Sequence, residues 1–146
     1  MIKFTVPGKP ISKLRARIFT NKHTGRVMSY TPKETTNYAN FIKQIYVTKY
    51  GQHKLEGAIR QTINAYYPIP KSTSKKKRAL MLAGKIRPTV KPDYDNVEKI
   101  FSDSLESIAF DNDNQIVSSR FDKYYSDNPR CEVCIEVLNE NYKKEE

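Results

Sequence analysis

Apolar and polar residues alternate in several stretches of the chain, which is typical of strands with one buried face. In the first stretch Ile2, Phe4 and Val6 share one side. Strands are predicted over residues 1–6, 26–30, 58–67, 116–125 and 131–138. Because the last two are separated by the turn-forming sequence SDNP, we expect them to form a hairpin.

Three other stretches repeat apolar residues every three to four positions, or carry helix start and stop signals. The first predicted helix has Thr31 as N-cap and Glu34 in a capping box, and it ends before Gly51. A short basic helix is predicted over residues 72–83. A third helix is predicted to open at Asp95 as N-cap, with the buried stripe Val97, Ile100, Phe101, Leu105 and Ile108.

This order of elements predicts a single α+β domain over residues 1–146, with residues 139–146 as a frayed polar tail. No apolar run approaches about 18 residues, so no membrane span is expected. The alternating N-terminus does not match a signal peptide. With two cysteines and no disulfide framework, a reducing, cytoplasmic location is expected.

Charge is divided unevenly along the chain. Residues 1–92 hold 20 Lys and Arg against two acids, whereas residues 93–146 hold six against 14, and together they give the net charge of +10. A basic surface favours a polyanionic partner. Clustered carboxylates call for a divalent cation, since two charges ~4 Å apart repel by roughly 4 kcal/mol at an effective dielectric of 20.

One short segment, KPDYDNVEK, carries the candidate chemistry. Asp93 and Asp95 lie two residues apart at a helix entrance, so their side chains project to the same side. Lys99 follows Asp95 by one helical turn, and Asp103 continues that face. Asp113 follows the helix in a polar turn, and it joins the pair if the next strand runs antiparallel to the helix.

Carboxylate oxygens suit Mg²⁺, which keeps several waters and recruits phosphate oxygens. Two such ions activate a water and stabilise the leaving oxygen of a phosphodiester, while a lysine neutralises charge on the phosphate. The alternative interpretation is structural, because Asp-x-Asp is common at helix caps and turns.

Four motifs follow one another along nearly the whole chain: PGKPISKLRAR at residues 7–17, YTPK at 30–33, YPIPKSTSKKKR at 67–78, and KPDYDNVEK with DNQI at 91–99 and 113–116. In this order they resemble the RusA family of phage-type Holliday-junction resolvases. The last motif is the specific one, and the others support it.

The resemblance places the family's three catalytic, metal-binding aspartates on Asp93, Asp95 and Asp113, and its catalytic lysine on Lys99. It implies a Mg²⁺-dependent crossover junction endodeoxyribonuclease in DNA recombination and repair, with Mn²⁺ as a substitute ion. The implied products carry 5′-phosphate and 3′-hydroxyl ends. The implied fold is a small mixed sheet packed against helices, in an intertwined homodimer that acts on four-way junctions.

The chain also departs from the family's pattern. Tyr94 stands between the first two aspartates, where many relatives have Leu. Asn112 precedes Asp113, where many relatives have Asp, which leaves Asp111 as an alternative third ligand. In residues 7–17, which we call the basic loop, Leu14 and Ala16 stand where many relatives have small or proline residues. We expect activity to survive these changes, with DNA affinity altered.

Two runs of cations contain no acid, whereas a solvated helix face normally mixes both signs. We therefore expect them to contact DNA phosphates and to recognise the shape and backbone of branched DNA. The candidate DNA-binding residues are Lys9, Lys13, Arg15, Arg17, Lys71, Lys75, Lys76, Lys77, Arg78 and Arg87.

Two other functions stay open: a broader nuclease for flaps and forks, and a DNA-binding protein without catalysis. Cys131 and Cys134 lie three apart on a predicted strand, so they face opposite sides, and we expect no metal or redox role for them. Tyr94, Tyr124 and Tyr125 are candidates to stack on bases at an open junction.

Overall fold

The computed structural model describes residues 1–138. Its helices are α1 (Lys33–Tyr50), α2 (Lys75–Leu82) and α3 (Tyr94–Leu105), and its strands are β1 (Ile2–Pro7), β2 (Arg17–Thr20), β3 (Val27–Tyr30), β4 (Ile59–Pro68), β5 (Ile116–Ser126) and β6 (Arg130–Val137). The predicted α+β class is confirmed. The predicted frayed tail lies outside the described residues. None of the helices described is long and apolar enough to cross a membrane.

Four strands form a mixed sheet in the order β1-β6-β4-β5, and β2 and β3 form a separate hairpin. β4 runs parallel to β5 and antiparallel to β6. The predicted hairpin of the last two strands is therefore wrong, because β4 lies between them. Apolar alternation reports which face of a strand is buried, and it does not identify the neighbouring strand.

One face of the sheet packs against α1 and α3 and forms the core. From α3 the core receives Val97, Ile100, Phe101 and Leu105, four of the five residues of the predicted stripe. Ile108 lies past the end of the helix and is only partly buried against the core. Burying a side chain such as Phe101 contributes roughly 1.5–3 kcal/mol, so this stripe fixes which face of α3 remains open to solvent.

The start of α1 differs from its prediction. Pro32 occupies the N-cap position with extended backbone, and no side chain caps the helix. The predicted capping box of Thr31 and Glu34 is wrong because Pro32 itself keeps an extended ψ of 138°, so the helix begins one residue later, at Lys33.

The start of α2 and the first hairpin strand also differ. α2 begins at Lys75 after Ser74, whose side chain accepts a hydrogen bond from the Lys77 N–H, so the predicted start at Ser72 is too early. β2 was not predicted. Its four residues are all exposed, and a strand without a buried face shows no alternation of apolar and polar positions.

Candidate active site

α3 presents two carboxylates at its N-terminus. Asp93 is the N-cap, with extended backbone, and Asp95 lies in the first turn, where its Oδ1 accepts a hydrogen bond from the Asn96 N–H at 3.0 Å. The predicted cap at Asp95, with Glu98 at the third helical position, is wrong because the helix already begins at Tyr94. Both negative charges are stabilised by the positive end of the helix dipole.

Side chains of the sheet hold the segment that leads into α3. The Tyr67 hydroxyl donates to the Pro92 carbonyl at 2.6 Å, and Lys123 Nζ donates to the Val90 carbonyl at 2.6 Å. Lys123 Nζ also lies 4.7 Å from the centroid of the Tyr67 ring. Burial raises the pKa of Tyr67, and nearby Asp93 raises it further, so the hydroxyl remains a neutral donor at ordinary pH.

A pocket of about 300 Å³ lies along the exposed face of α3, and we call it the acidic pocket. It is lined by Asp95, Glu98, Lys99, Ser102, Asp103, Asp113 and Ile116. The structure thus brings Asp95, Lys99 and Asp113 to one pocket. Asp93 lines a second pocket of about 430 Å³, the basic-loop pocket, together with Lys9 and Lys91.

The chain after α3 folds back along the helix. Ser107 adopts a positive φ of 74°, and its N–H donates to the Phe110 carbonyl at 2.7 Å. This reversal brings the carboxylate of Asp113 beside those of Asp103 and Glu106, with ligand atoms within 4.8 Å of one another. Asp113 therefore faces the C-terminal half of α3, and it meets Asp95 across the acidic pocket.

Within residues 1–138, three carboxylates lie close enough together to share one ion, and they are those of Asp103, Glu106 and Asp113. The predicted set of Asp93, Asp95 and Asp113 does not meet the same distance of 4.8 Å between ligand atoms. The sequence predicts Asp103 only as a continuation of the helix face, and Glu106 is not among the predicted site residues. The signal was present, because Asp95, Lys99, Asp103 and Glu106 follow one another at three- and four-residue steps.

The side-chain amide of Gln115 makes four hydrogen bonds that hold the turn carrying Asp113. Gln115 Oε1 accepts from the N–H groups of Asp111 (2.9 Å) and Asn112 (3.1 Å), and its Nε2 donates to the carbonyls of Leu55 (3.1 Å) and Gly57 (3.0 Å). These four bonds join the turn to the loop before β4. Asp111, the alternative third ligand, forms an ion pair with Lys54 at 2.9 Å and does not line the acidic pocket. The Asp111 side chain is 77% exposed.

The acidic pocket fits a hard divalent cation. Its donors are the carboxylate oxygens of Asp95, Glu98, Asp103 and Asp113 and the hydroxyl of Ser102, and oxygen donors are those that Mg²⁺ prefers. Burial, followed by the charge of Asp95, raises the pKa of Glu98. Lys99 lines the pocket and Lys13 forms an ion pair with Asp103, so cations offset only part of the clustered negative charge.

Of the predicted DNA contacts, Lys9 and Lys13 lie at these pockets, and several of the others have partners within the protein. Lys9 lines the basic-loop pocket, Arg15 and Arg17 are exposed, and Lys71, Lys75, Lys76 and Lys77 are exposed after β4. Arg78 pairs with Asp127. Arg87 pairs with Asp122 at 2.9 Å and lies 4.4 Å from the Tyr124 ring centroid. Hydrogen bonds from Arg120 and Arg87 lower the pKa of Asp122.

Of the three candidate stacking residues, two are engaged within the protein. Tyr124 stacks on Tyr66 at 5.4 Å and is covered by an arginine, and Tyr125 packs against the core. Tyr94 is 61% exposed, although its ring centroid lies 6.4 Å from that of Phe121. Both cysteines are free, with Cys131 buried and Cys134 partly exposed.

Comparison with known proteins identifies the family of the chain. Residues 7–136 match the family Endodeoxyribonuclease RusA. The chain is also 36% identical over 144 residues to the Uncharacterized protein YqaN of Bacillus subtilis (strain 168), covering 94% of this chain and 97% of that relative. The family match identifies endodeoxyribonucleases that act on branched DNA junctions. The chain belongs to that family, RusA, and the resemblance seen in its motifs is confirmed.

Proposed function

We propose that this protein resolves Holliday junctions by metal-dependent hydrolysis of phosphodiester bonds. The observation that carries the proposal is the acidic pocket, where Asp95, Lys99 and Asp113 meet on the open face of α3. A DNA-binding protein gains nothing from such a cluster, because carboxylates repel phosphates. The proposed catalytic residues are Asp93, Asp95, Asp113 and Lys99.

The proposed ion is Mg²⁺, with Mn²⁺ as a substitute, and its proposed ligands are Asp93, Asp95 and Asp113, which must come closer together than in this structure to share one ion. When bound, it supplies Lewis-acid polarisation of the phosphate and lowers the pKa of a water. Asp103 and Glu106 lie beside Asp113 and add negative charge that favours a cation there. Gln115 keeps Asp113 in place through its four hydrogen bonds.

The protein's own cations position the DNA strand. Lys99 lines the acidic pocket one helical turn after Asp95, so its ammonium group neutralises charge that develops on the phosphate under attack. Lys9 and Lys91 line the adjoining pocket beside Asp93, where they take the flanking phosphates. Attack on the side opposite the 3′-oxygen leaves 5′-phosphate and 3′-hydroxyl ends.

A four-way junction is cut on two opposed strands, and each chain carries one acidic pocket, so we propose that a homodimer places one site on each strand. The biological setting that this activity fits is DNA recombination and repair in the cytoplasm.

The test is cleavage of a labelled synthetic four-way junction, with Mg²⁺ and with EDTA, beside matched duplex and flap substrates. Paired symmetric nicks on the junction alone, lost in EDTA, are expected. Equal cutting of flaps would instead assign a general branch nuclease. Tight binding with no cutting in Mg²⁺ or Mn²⁺ would overturn the enzymatic proposal and leave a DNA-binding protein.

A further inference from the structure

The β2–β3 hairpin extends from the protein without being covered by it. All eight residues of its two strands are exposed. Ile18 and Val27, at 74% and 73% exposed, are the most exposed large apolar side chains of residues 1–138. A two-stranded hairpin is marginally stable in water by itself, and exposed apolar groups of this kind mark a binding surface.

The two faces of the hairpin differ. On one face Phe19 lies opposite Met28 and Arg17 opposite Tyr30, and Phe19 packs edge-to-face on Tyr30 at 6.1 Å. These side chains partly cover one another. The opposite face carries Ile18 and Val27 among the small polar residues Thr20 and Ser29, so its apolar groups are open to a partner.

The root of the hairpin is fixed at the candidate active site. The Lys13 N–H donates to the Asn96 carbonyl at 3.0 Å, and the Leu14 N–H donates to Thr35 Oγ1 at 3.1 Å. The Lys13 ammonium also pairs with Asp103, a wall of the acidic pocket. β2 begins at Arg17, three residues after Leu14, so the hairpin starts close to the acidic pocket.

Charge decides which partner this surface fits. Residues 1–33 contain no acid, and the cations in and around the hairpin are Arg15, Arg17, Lys22 and Arg26. The same arm of a second copy would repel it, whereas a polyanion would be attracted. Apolar side chains flanked by cations are the means by which proteins insert between base steps and hold the adjoining phosphates, and a two-stranded ribbon is narrow enough to enter a DNA groove.

We propose that the β2–β3 hairpin is a wedge that enters the open centre of branched DNA beside the scissile strand. Ile18 and Val27 contact the exposed faces of base pairs at the branch point, while Arg15, Arg17, Lys22 and Arg26 contact the surrounding phosphates. The inference rests on the proposed function in one respect, that the substrate is branched DNA.

The test uses a four-way junction with 2-aminopurine at the branch point, bound by the full chain in EDTA so that cutting plays no part. Wild-type protein is expected to raise the fluorescence severalfold, because the reporter base becomes unstacked. The double variant Ile18→Ser/Val27→Ser is expected to bind within about threefold of wild type and to lose most of the rise. Val117→Ser, at another exposed apolar position, is the matched control and should behave as wild type.

Two results would overturn the wedge. One is a fluorescence rise that is the same in wild type and in the double variant. The other is a change in the oligomeric state of the double variant in the absence of DNA, measured by light scattering, which would make the hairpin a protein interface. Circular dichroism and the melting temperature check that each variant is folded, and the milder pair Ile18→Ala/Val27→Ala should give an intermediate rise.

The assay separates the wedge from the nuclease proposal. If wild-type protein cuts no branched DNA in Mg²⁺ while the rise still depends on Ile18 and Val27, the nuclease proposal fails and the wedge stands. If wild-type protein resolves junctions while the double variant unstacks the reporter base normally, the wedge alone fails.

Discussion

Lys13 of the basic loop forms an ion pair with Asp103 of α3. The two residues are 90 positions apart, and the pair joins the basic and acidic parts of the chain. The Lys13 side chain is 37% exposed and that of Asp103 30%. In this position Lys13 offsets part of the negative charge that would draw a cation into the acidic pocket.

Lys13→Ala should therefore tighten Mg²⁺ binding and weaken junction binding. Removing one charge ~6 Å from a divalent ion changes its energy by about 1.4 kcal/mol at the dielectric of water, or about tenfold in affinity. The free energy of unfolding should change by no more than about 1 kcal/mol because the pair is partly exposed. Titration calorimetry with Mg²⁺ measures the effect, with Lys22→Ala as the control. Weaker Mg²⁺ binding in Lys13→Ala would contradict this account.

Gln115 holds the turn that carries Asp113, and it is not among the residues that line the acidic pocket. Gln115→Ala removes four hydrogen bonds from the turn, and a displacement of ~1 Å at a reacting group costs about 10²-fold in rate. We expect kcat to fall by roughly 10–10²-fold with KM little changed. Gln115→Glu keeps the accepting oxygen and should be intermediate, and Asn114→Ala in the same turn is the control. Wild-type kcat in Gln115→Ala would show that the turn is held by other interactions.

The three lysines at the start of α2 are exposed and uninterrupted by acids. Replacing Lys75, Lys76 and Lys77 by Ala should weaken junction binding and flatten its salt dependence, by about 0.9 in the slope of log K against log salt for each phosphate that is no longer neutralised. Fluorescence anisotropy over a series of salt concentrations measures the slope. Arg78→Ala should have a smaller effect because Arg78 already pairs with Asp127. An unchanged slope in the triple variant would show that DNA phosphates do not contact these three lysines.

The local patterns predicted from the sequence correspond to local physics. The apolar stripe of α3 follows from helical periodicity, and four of its five members are buried. The spacing of Asp95, Lys99 and Asp103 puts them on one helix face, and all three line the acidic pocket. Both results need only the geometry of a single element.

The features that were wrong depend on contacts between elements. The insertion of β4 between β5 and β6 is a choice of neighbour, which alternation does not encode. The approach of Asp113 to Glu106 arises from the reversal at Ser107, a non-glycine residue with positive φ that gives no turn signal. The predicted caps, Thr31 and Asp95, lie one residue before and two residues after the observed caps Pro32 and Asp93, neither of which makes a side-chain capping hydrogen bond.

Cys131 makes the free energy of unfolding depend on pH, and the burial of its thiol sets the sign of that dependence. Burial raises the pKa of its thiol to about 12, although a hydrogen bond from Tyr38 lowers it. The neutral thiol therefore contributes stability that is fully present below the unfolded pKa near 9 and declines as pH rises towards 12, by at most about 1.4 kcal/mol per pH unit.

The difference in unfolding free energy between wild type and Cys131→Ala should narrow above pH 9, as measured by urea denaturation. At pH 8 a thiol reagent should modify Cys134, which is partly exposed, and leave Cys131 intact until the protein unfolds. Rapid modification of both thiols in the native protein would contradict the burial of Cys131.

The measurement that tests the central claim most directly is the junction-cleavage rate of Asp95→Asn and Asp113→Asn beside Asp111→Asn, with junction affinity measured in EDTA. Asp111 matches Asp113 in residue type and lies two positions away, but it pairs with Lys54 outside the acidic pocket. We expect the first two variants to lose at least about 10²–10³-fold in rate, with affinity unchanged or higher because a charge that repels phosphate is removed. Asp111→Asn should cut as wild type does. Normal cutting by Asp95→Asn, or loss of cutting in Asp111→Asn with Asp113→Asn active, would contradict the assignment of the acidic pocket as the catalytic site.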